Sequence, residues 1–317
     1  MAEPARASSR PGRLDVGVVG AGRVGAVIGN ALRGAGHVVV GASGISASSR
    51  ERIDTLLPGV PALEVPDVVA RADLVLLAVP DDALAPLVAG LAEVGAWQAG
   101  QIVVHTSGRY GTDVLEPARR SGAIPLAIHP AMTFTGTSLD LARLVGCTFA
   151  VTGPAPVLPI GQALVVEIGG EPVVVAEQHR PLYHAALAHG ANHLVVLVSQ
   201  AAQALAAAGI DEPGRVLAPL LTAALDGALR SGDQAVRTMT GPVPRGDAGT
   251  VRDHVRVLTE FGVHEGALDV VETYRVLARS GTRRVLAAGL LGPEAAGALL
   301  DAVSGVVDPH DTKDDDS

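Results

Sequence analysis

Short apolar runs alternate with amphipathic stretches through the first half of the chain. Residues 14–19, 37–41, 72–79, 101–105, 124–128 and 147–152 are largely apolar throughout, not at every second position, and most close on glycine, proline or a polar cluster. Continuous apolar runs of this length predict strands covered on both faces. Between them residues 24–33, 83–94 and 112–121 read as helices. The alternation predicts stacked βαβ units: an α/β fold whose N-terminal domain is a Rossmann-type, doubly wound parallel sheet.

From about Glu177 the pattern changes to long segments rich in Ala and Leu, and 177–208, 215–230, 250–261 and 265–278 predict an all-helical C-terminal domain. The resulting division is a leader over 1–12, a dinucleotide-binding domain over 13–175, a helical substrate and dimerisation domain over 176–306, and an acidic tail over 307–317. Residues 181–210 hold no Asp, Glu, Lys or Arg and are long enough to span a bilayer. Yet His184, His189, Asn192, His193, Ser199, Gln200 and Gln203 interrupt them, which favours a buried helix of a water-soluble protein. Apolar helices with so few charges also predict a homodimer formed through this domain.

Composition narrows the ligand. Among 317 residues 24 are basic and 33 acidic, a net charge of −9, and only seven are Phe, Trp or Tyr. With no basic footprint and few rings to stack on bases, nucleic acid is excluded as a ligand, and any bound anion needs a local site. The single cysteine, Cys147, allows no intramolecular disulfide and no cysteine-based zinc site, and it reads as a small buried residue of a cytoplasmic protein. Residues 1–12 lack the apolar core of a secretory signal. The single lysine, Lys313, lies in the acidic tail, so the folded body offers no lysine for catalysis.

Gly20-Ala21-Gly22-Arg23-Val24-Gly25 follows the first strand and opens a helix, the context in which a GxGxxG pattern predicts a dinucleotide site. Gly20 permits the tight turn, Gly22 lets backbone approach a pyrophosphate, and Gly25 lets helix pack closely on strand, while the helix N-terminus offers amides to phosphate. An NAD site places an acid about 20 residues after the first glycine, and here none occurs between Asp15 and Glu51. Ser43, Ser48 and Arg50, with Arg23, suit a 2′-phosphate instead, so NADP(H) is favoured over NAD(H). The serines also suit a helix cap. Val79-Pro80 and Thr106-Ser107, at the ends of the next strands, are expected to line the same cofactor, with Pro80 and Asp81 opening a helix.

Candidate catalytic groups follow the same geometry. His129 stands before Pro130 at a strand end. His184 and Asn192 lie about two turns apart on the charge-free helix, where Asn192, Val196, Ser199 and Gln203 share a face. Arg245 and Asp247 sit in a Gly/Pro turn before a helix, a way to aim a carboxylate-binding group or, alternatively, to cap that helix.

These motifs resemble a family built from a Rossmann-like domain and an uncharacterised helical domain. It lies within the wider group of pyrroline-5-carboxylate reductases, 6-phosphogluconate dehydrogenases and ketopantoate reductases. The resemblance rests on Gly20 to Gly25, His105-Thr106-Ser107-Gly108, His129-Pro130 with Thr133-Phe134, Tyr183-His184 with Asn192, and Thr240-Gly241-Pro242 through Arg245-Gly246-Asp247 to Thr250, and it spans about residues 14–303. It implies a hydride-transferring reductase, with 2-dehydropantoate (ketopantoate) as the preferred substrate. Two departures stand out. Hydroxyacid dehydrogenases of the group place a lysine one turn before an asparagine, and here that position is Ala188; the 240–250 loop also differs from the Ser/Thr loop of pyrroline-5-carboxylate reductases.

The expected chemistry is hydride delivery from NADPH to the carbonyl carbon of a small 2-oxo acid. Asn192 is assigned to the oxygen, His129 or His184 to proton donation, and Arg245 to the carboxylate, with Asp247 orienting one of them. Reduction of a cyclic imine, and a non-catalytic NADP-binding sensor or scaffold, are the alternatives.

Overall fold

The computed structural model describes residues 12–304. The leader lies outside them except for Gly12, and so does the acidic tail with Lys313. In chain order the first part runs β1 (Asp15–Val19), α1 (Arg23–Gly34), β2 (Val38–Ser43), α2 (Ala47–Leu56), α3 (Val65–Arg71), β3 (Leu74–Leu77), α4 (Asp81–Glu93) and β4 (Ile102–His105). A 3-10 turn (Thr112–Leu115) leads into α5 (Glu116–Arg120), β5 (Ile124–Pro130), α6 (Leu139–Leu144), β6 (Thr148–Thr152), α7 (Leu158–Glu167) and β7 (Glu171–Val174). The rest is helical: α8 (Arg180–Ala207), α9 (Pro213–Ser231), a 3-10 helix (Gly232–Thr238), α10 (Pro242–Arg245), α11 (Ala248–Glu265), α12 (Leu268–Ala287) and α13 (Pro293–Ser304). Two compact units result, one up to His189 and one from Gly190, so the division falls inside α8.

In the first unit the described strands form one sheet in the order β2-β1-β3-β4-β5-β6-β7. β1 to β5 run parallel, as the apolar runs predict. The run at 147–152 departs from the expectation: β6 pairs antiparallel with β5, and β7 parallel with β6. A continuous apolar run reports cover on both faces and is blind to the direction of its neighbour. β7 is an edge strand and largely exposed, and its apolar stretch of Pro172, Val173 and Val174 is too short to stand out as a run of its own. Val16, Val18, Leu74 and Leu76 face one core with Ile28, Leu32 and Leu164, while Val19, Val75 and Leu77 face the other with Val68, Leu84 and Leu91. Alternate residues of one strand thus feed two cores, the signature of helices on both sides of a sheet.

In the second unit Val251, Ala278, Leu299 and Val303 form the core of α11, α12 and α13. α8 is not the buried helix its lack of charge suggests: along its 28 residues only Arg180 and Gln200 are buried. Missing charge reports apolarity, whereas burial needs another surface to supply the cover. No described helix is long and apolar enough to cross a membrane. α9 likewise buries only Leu217 of its 19 residues.

Candidate active site

The turn between β1 and α1 is built by its glycines. Gly20 has φ +87°, and a Cβ there would lie 2.7 Å from the Ala78 carbonyl oxygen. A Cβ at Gly25 would lie 2.2 Å from the Gly20 carbonyl oxygen, so no larger residue fits. Gly22 differs: its φ is −74°, and a Cβ would meet no protein atom within 4 Å. The protein's own packing therefore gives no reason for glycine at 22, whereas the approach of a pyrophosphate to the backbone does. Gly22 is the N-cap of α1, and the first intrahelical bond is donated by the Ala26 amide to the Gly22 carbonyl at 3.2 Å. The amides of Arg23, Val24 and Gly25 lie ahead of it, at a helix end with no acid in its first turn.

Ser43, at the end of β2, belongs to the turn: its carbonyl accepts from the Ala21 amide at 2.7 Å and its hydroxyl from the Gly20 amide at 3.3 Å. Ser46 is the N-cap of α2, accepting from the Ser49 amide at 3.1 Å. Ser48, Arg50 and Arg23 are exposed. A residue that sequence reasoning passed over joins them. Arg52 donates to the Ser48 carbonyl at 3.1 Å, and a Cβ at Gly136 would lie 2.8 Å from Arg52 Nε and 2.9 Å from Arg23 Cγ. The Arg52 guanidinium and the aliphatic stem of Arg23 thus flank one glycine of the loop after β5. Asp140 holds that loop, accepting from the Thr135 amide at 2.8 Å and the Gly136 amide at 2.7 Å. Burial pushes the Asp140 carboxyl up, but the bonds from Gly136 and Thr135 outweigh it and hold it below the usual carboxylate range. Arg52 was legible only as a helix position one turn beyond Ser48.

Val79 and Pro80 follow β3, Val79 lying 3.0 Å from where a Gly20 Cβ would stand, and Pro80 is the N-cap of α4 with Asp81 and Asp82 in its first turn. At the end of β4, His105 is wholly buried. Its Nε2–H donates to the Gly111 carbonyl at 2.7 Å and its Nδ1 accepts from the Ser107 amide at 3.2 Å, so the tautomer is set. Burial lowers its pKa to about 4, the bond to Gly111 opposing only in part. The Ser107 hydroxyl is engaged in the turn, accepting from the amides of Arg109 and Tyr110, each at 3.2 Å. Thr106 beside it is half-buried.

His129, the penultimate residue of β5, lies opposite Ala150 of β6 and is half-buried. Its Nδ1 is 2.9 Å from the Tyr183 hydroxyl, and the His184 ring stands edge-on to it with centroids 6.0 Å apart. Burial, then the charges of Arg180 and His184, lower its pKa to about 4, so it is neutral at pH 7. Arg180, which the sequence reading did not single out, is wholly buried at the start of α8. It donates to Thr152 Oγ1 at 2.8 Å and to the carbonyls of Ala127, Ala150 and Ser107 at 2.7, 3.0 and 3.2 Å. Burial brings its pKa down to about 10, and it keeps its charge. One guanidinium thereby ties β5, β6 and the loop after β4 to the helix carrying Tyr183 and His184. The only sequence signal was an arginine bordering a charge-free segment.

In the helical unit, Asn192, Val196, Ser199 and Gln203 are all exposed, as is Arg245 at the end of α10. Asp247 caps α11, its two carboxylate oxygens accepting from the Thr250 amide at 3.0 Å and the Thr250 hydroxyl at 2.7 Å. His129 and His184 therefore belong to one unit, and Asn192, Arg245 and Asp247 to the other.

Residues 1–130 match the Rossmann-like domain family, and residues 147–281 match the domain of unknown function DUF2520. The chain thus joins a Rossmann-like domain to a DUF2520 domain. No curated protein matches it. Among solved structures this Rossmann-like plus DUF2520 chain is similar to protein BF3122 from Bacteroides fragilis, at 20% identity and TM-score 0.67, over 84% of this chain and 97% of that one. It is similar to an imine reductase from Myxococcus stipitatus in complex with NADP+, at 17% identity and TM-score 0.61, over 85% and 94%. A reductive aminase from Aspergillus terreus, in complex with NADPH4, cyclohexanone and allyl amine, aligns at 15% identity and TM-score 0.62 over 90% and 98%. At these identities the likeness is one of fold.

Proposed function

We propose that this protein is an NADP(H)-dependent reductase of a small carbonyl or imine substrate. The observation that carries the reading is Gly22, a glycine that internal packing does not require, set at a helix N-terminus between two glycines that packing does require. The amides of the first turn of α1 would hold the pyrophosphate, and Arg23 with Arg52 would hold the 2′-phosphate. NADP(H), when bound, supplies the hydride. The fold likeness to an imine reductase with NADP+ and to a reductive aminase with NADPH4 supports the same cofactor.

His129, neutral and half-buried, is the proposed proton donor. Asn192 is proposed for the substrate oxygen and Arg245 for a carboxylate, with 2-dehydropantoate as the first substrate to try. A cyclic imine is the second reading, favoured by the imine reductases among the similar folds. The proposal includes a homodimer, because α8 and α9 leave Val195, Val196, Leu220 and Leu229 more than half exposed. A reducing cytoplasm suits the single cysteine.

The test is titration of NADPH and NADH into the wild-type protein and Gly22→Ala, followed by turnover across 2-oxo acids and cyclic imines. NADPH should bind at least about tenfold more tightly than NADH, and Gly22→Ala should weaken it while costing about 1 kcal/mol or less of stability. Absence of NADPH binding overturns the reading; binding without turnover of any substrate replaces the reductase by a sensor.

A further inference from the structure

The Tyr183 hydroxyl stands 2.9 Å from His129 Nδ1, and either atom could carry the shared hydrogen. Chemistry decides between them. A phenol is a stronger donor than a neutral imidazole N–H, and an unprotonated imidazole nitrogen is a stronger acceptor than a phenol oxygen, so O–H···N is the favoured arrangement. Burial raises the Tyr183 phenol above its ordinary pKa, and the Arg180 guanidinium, 6.0 Å from the centre of the ring, opposes that rise only in part, so the phenol keeps its hydrogen to donate. Arg180 also fixes the helix one turn before Tyr183 through its four hydrogen bonds. With Nδ1 occupied as an acceptor, a neutral ring must carry its hydrogen on Nε2. That side of the ring is bounded by Gly108, where a Cβ would come within 2.9 Å of His129 Nε2 and 2.5 Å of His184 Nδ1.

We propose that Tyr183 is a positioning residue that fixes His129 in the Nε2–H tautomer and so makes it a proton donor to the oxygen being reduced. The assignment of a proton to that oxygen rests on the reductase reading; the tautomer does not. In the step, the Nε2–H bond breaks as an O–H bond forms on the product, and the Tyr183 proton passes to Nδ1. His129 ends neutral and Tyr183 ends as a phenolate beside Arg180, to be reprotonated from solvent. An alkoxide is a stronger base than a phenolate, so the transfer runs downhill.

The experiment is nitrogen-15 NMR of histidine-labelled full-length protein without cofactor, the His129 signals being assigned by their loss in His129→Gln. Wild type should show Nδ1 unprotonated and Nε2 protonated. Tyr183→Phe should give a mixture or the opposite tautomer; should that variant fail to fold, 3-fluorotyrosine in the wild-type chain should still move the Nδ1 shift by strengthening the donor. An Nδ1–H tautomer in wild type, or an Nδ1 shift indifferent to both changes, overturns the proposal. In turnover with NADPH, Tyr183→Phe should lower kcat about 100-fold with KM within about threefold. An unchanged kcat overturns the donor role. A correct tautomer in a protein that turns over neither substrate class refutes the reductase reading and leaves the tautomer assignment standing.

Discussion

In the Rossmann unit Arg180, His105 and Asp140 are wholly buried, and each is met by backbone groups of the strand ends and loops around it. In the helical unit the polar candidates Asn192 and Arg245 are exposed, and so are large apolar side chains, Leu220 at 65% and Leu229 at 80%. The first unit fills its own cores and meets these three buried groups from within, while His184 Nδ1 is buried without a hydrogen-bond partner. The second has a core under α11 to α13 but buries only Leu217 of α9 and Gln200 of its part of α8. Burial of polar groups marks where the first unit covers itself, and the exposed apolar helices are the surface that the proposed dimer would cover.

Acid should separate the two units most strongly. His105 and His129 both have folded pKa values of about 4, below the free value of 6.5. Between those limits the unfolded chain binds protons that the folded chain refuses, so stability is full above pH 6.5 and falls as pH drops towards 4. Each histidine contributes at most about 3 kcal/mol to that loss. His254 and His264 of the helical unit are exposed. Chemical unfolding of the protein from pH 7.5 to 4 should show the loss, with His129→Gln flattening part of the slope. A stability indifferent to pH across this window would mean that the imidazoles open to solvent before they charge.

Charging the uncovered helices comes next in size. Leu220→Asp with Leu229→Asp should weaken self-association on the order of 1,000-fold by leaving carboxylates unpaired in an apolar interface. Val145→Asp, at a residue of the Rossmann unit that is 71% exposed, should leave it unchanged. Sedimentation velocity over a concentration series reads both. A wild-type monomer at every concentration would show that the apolar faces of α8 and α9 serve something other than a second copy.

The same contrast explains what was legible in the sequence. The glycine turn and β1 to β5 follow from patterns within a few residues of one another, because φ at Gly20 and cover on both strand faces are local demands. Arg180 is bound by residues 28 to 73 positions away, and no spacing rule reaches that far. The His129 to Tyr183 bond is of the same kind: both residues stand out singly, and their pairing exists only once β5 and α8 are placed. Burial of α8 was misjudged because apolarity is a property of one segment, whereas cover belongs to two.

Arg52 carries the smallest expected effect and the sharpest local test. Its side chain lies on the Rossmann unit beside Gly136 and Arg23, and its Nη1 bond to the Ser48 carbonyl leaves further guanidinium donors for a phosphate. The Arg52 side chain is only half-buried, so a charge contact there is partly screened and is worth about 1 to 2 kcal/mol. Arg52→Ala should therefore raise the dissociation constant for NADPH about 10- to 30-fold, leave that for NADH within about twofold, and move Tm by less than about 2 °C. Because screening weakens such contacts, the penalty should shrink as salt is raised. Equal weakening of both cofactors would place Arg52 in the support of the glycine turn instead of at the 2′-phosphate. An unchanged NADPH affinity would shift that role to Arg23 and Arg50, the other guanidinium groups exposed at this edge of the sheet.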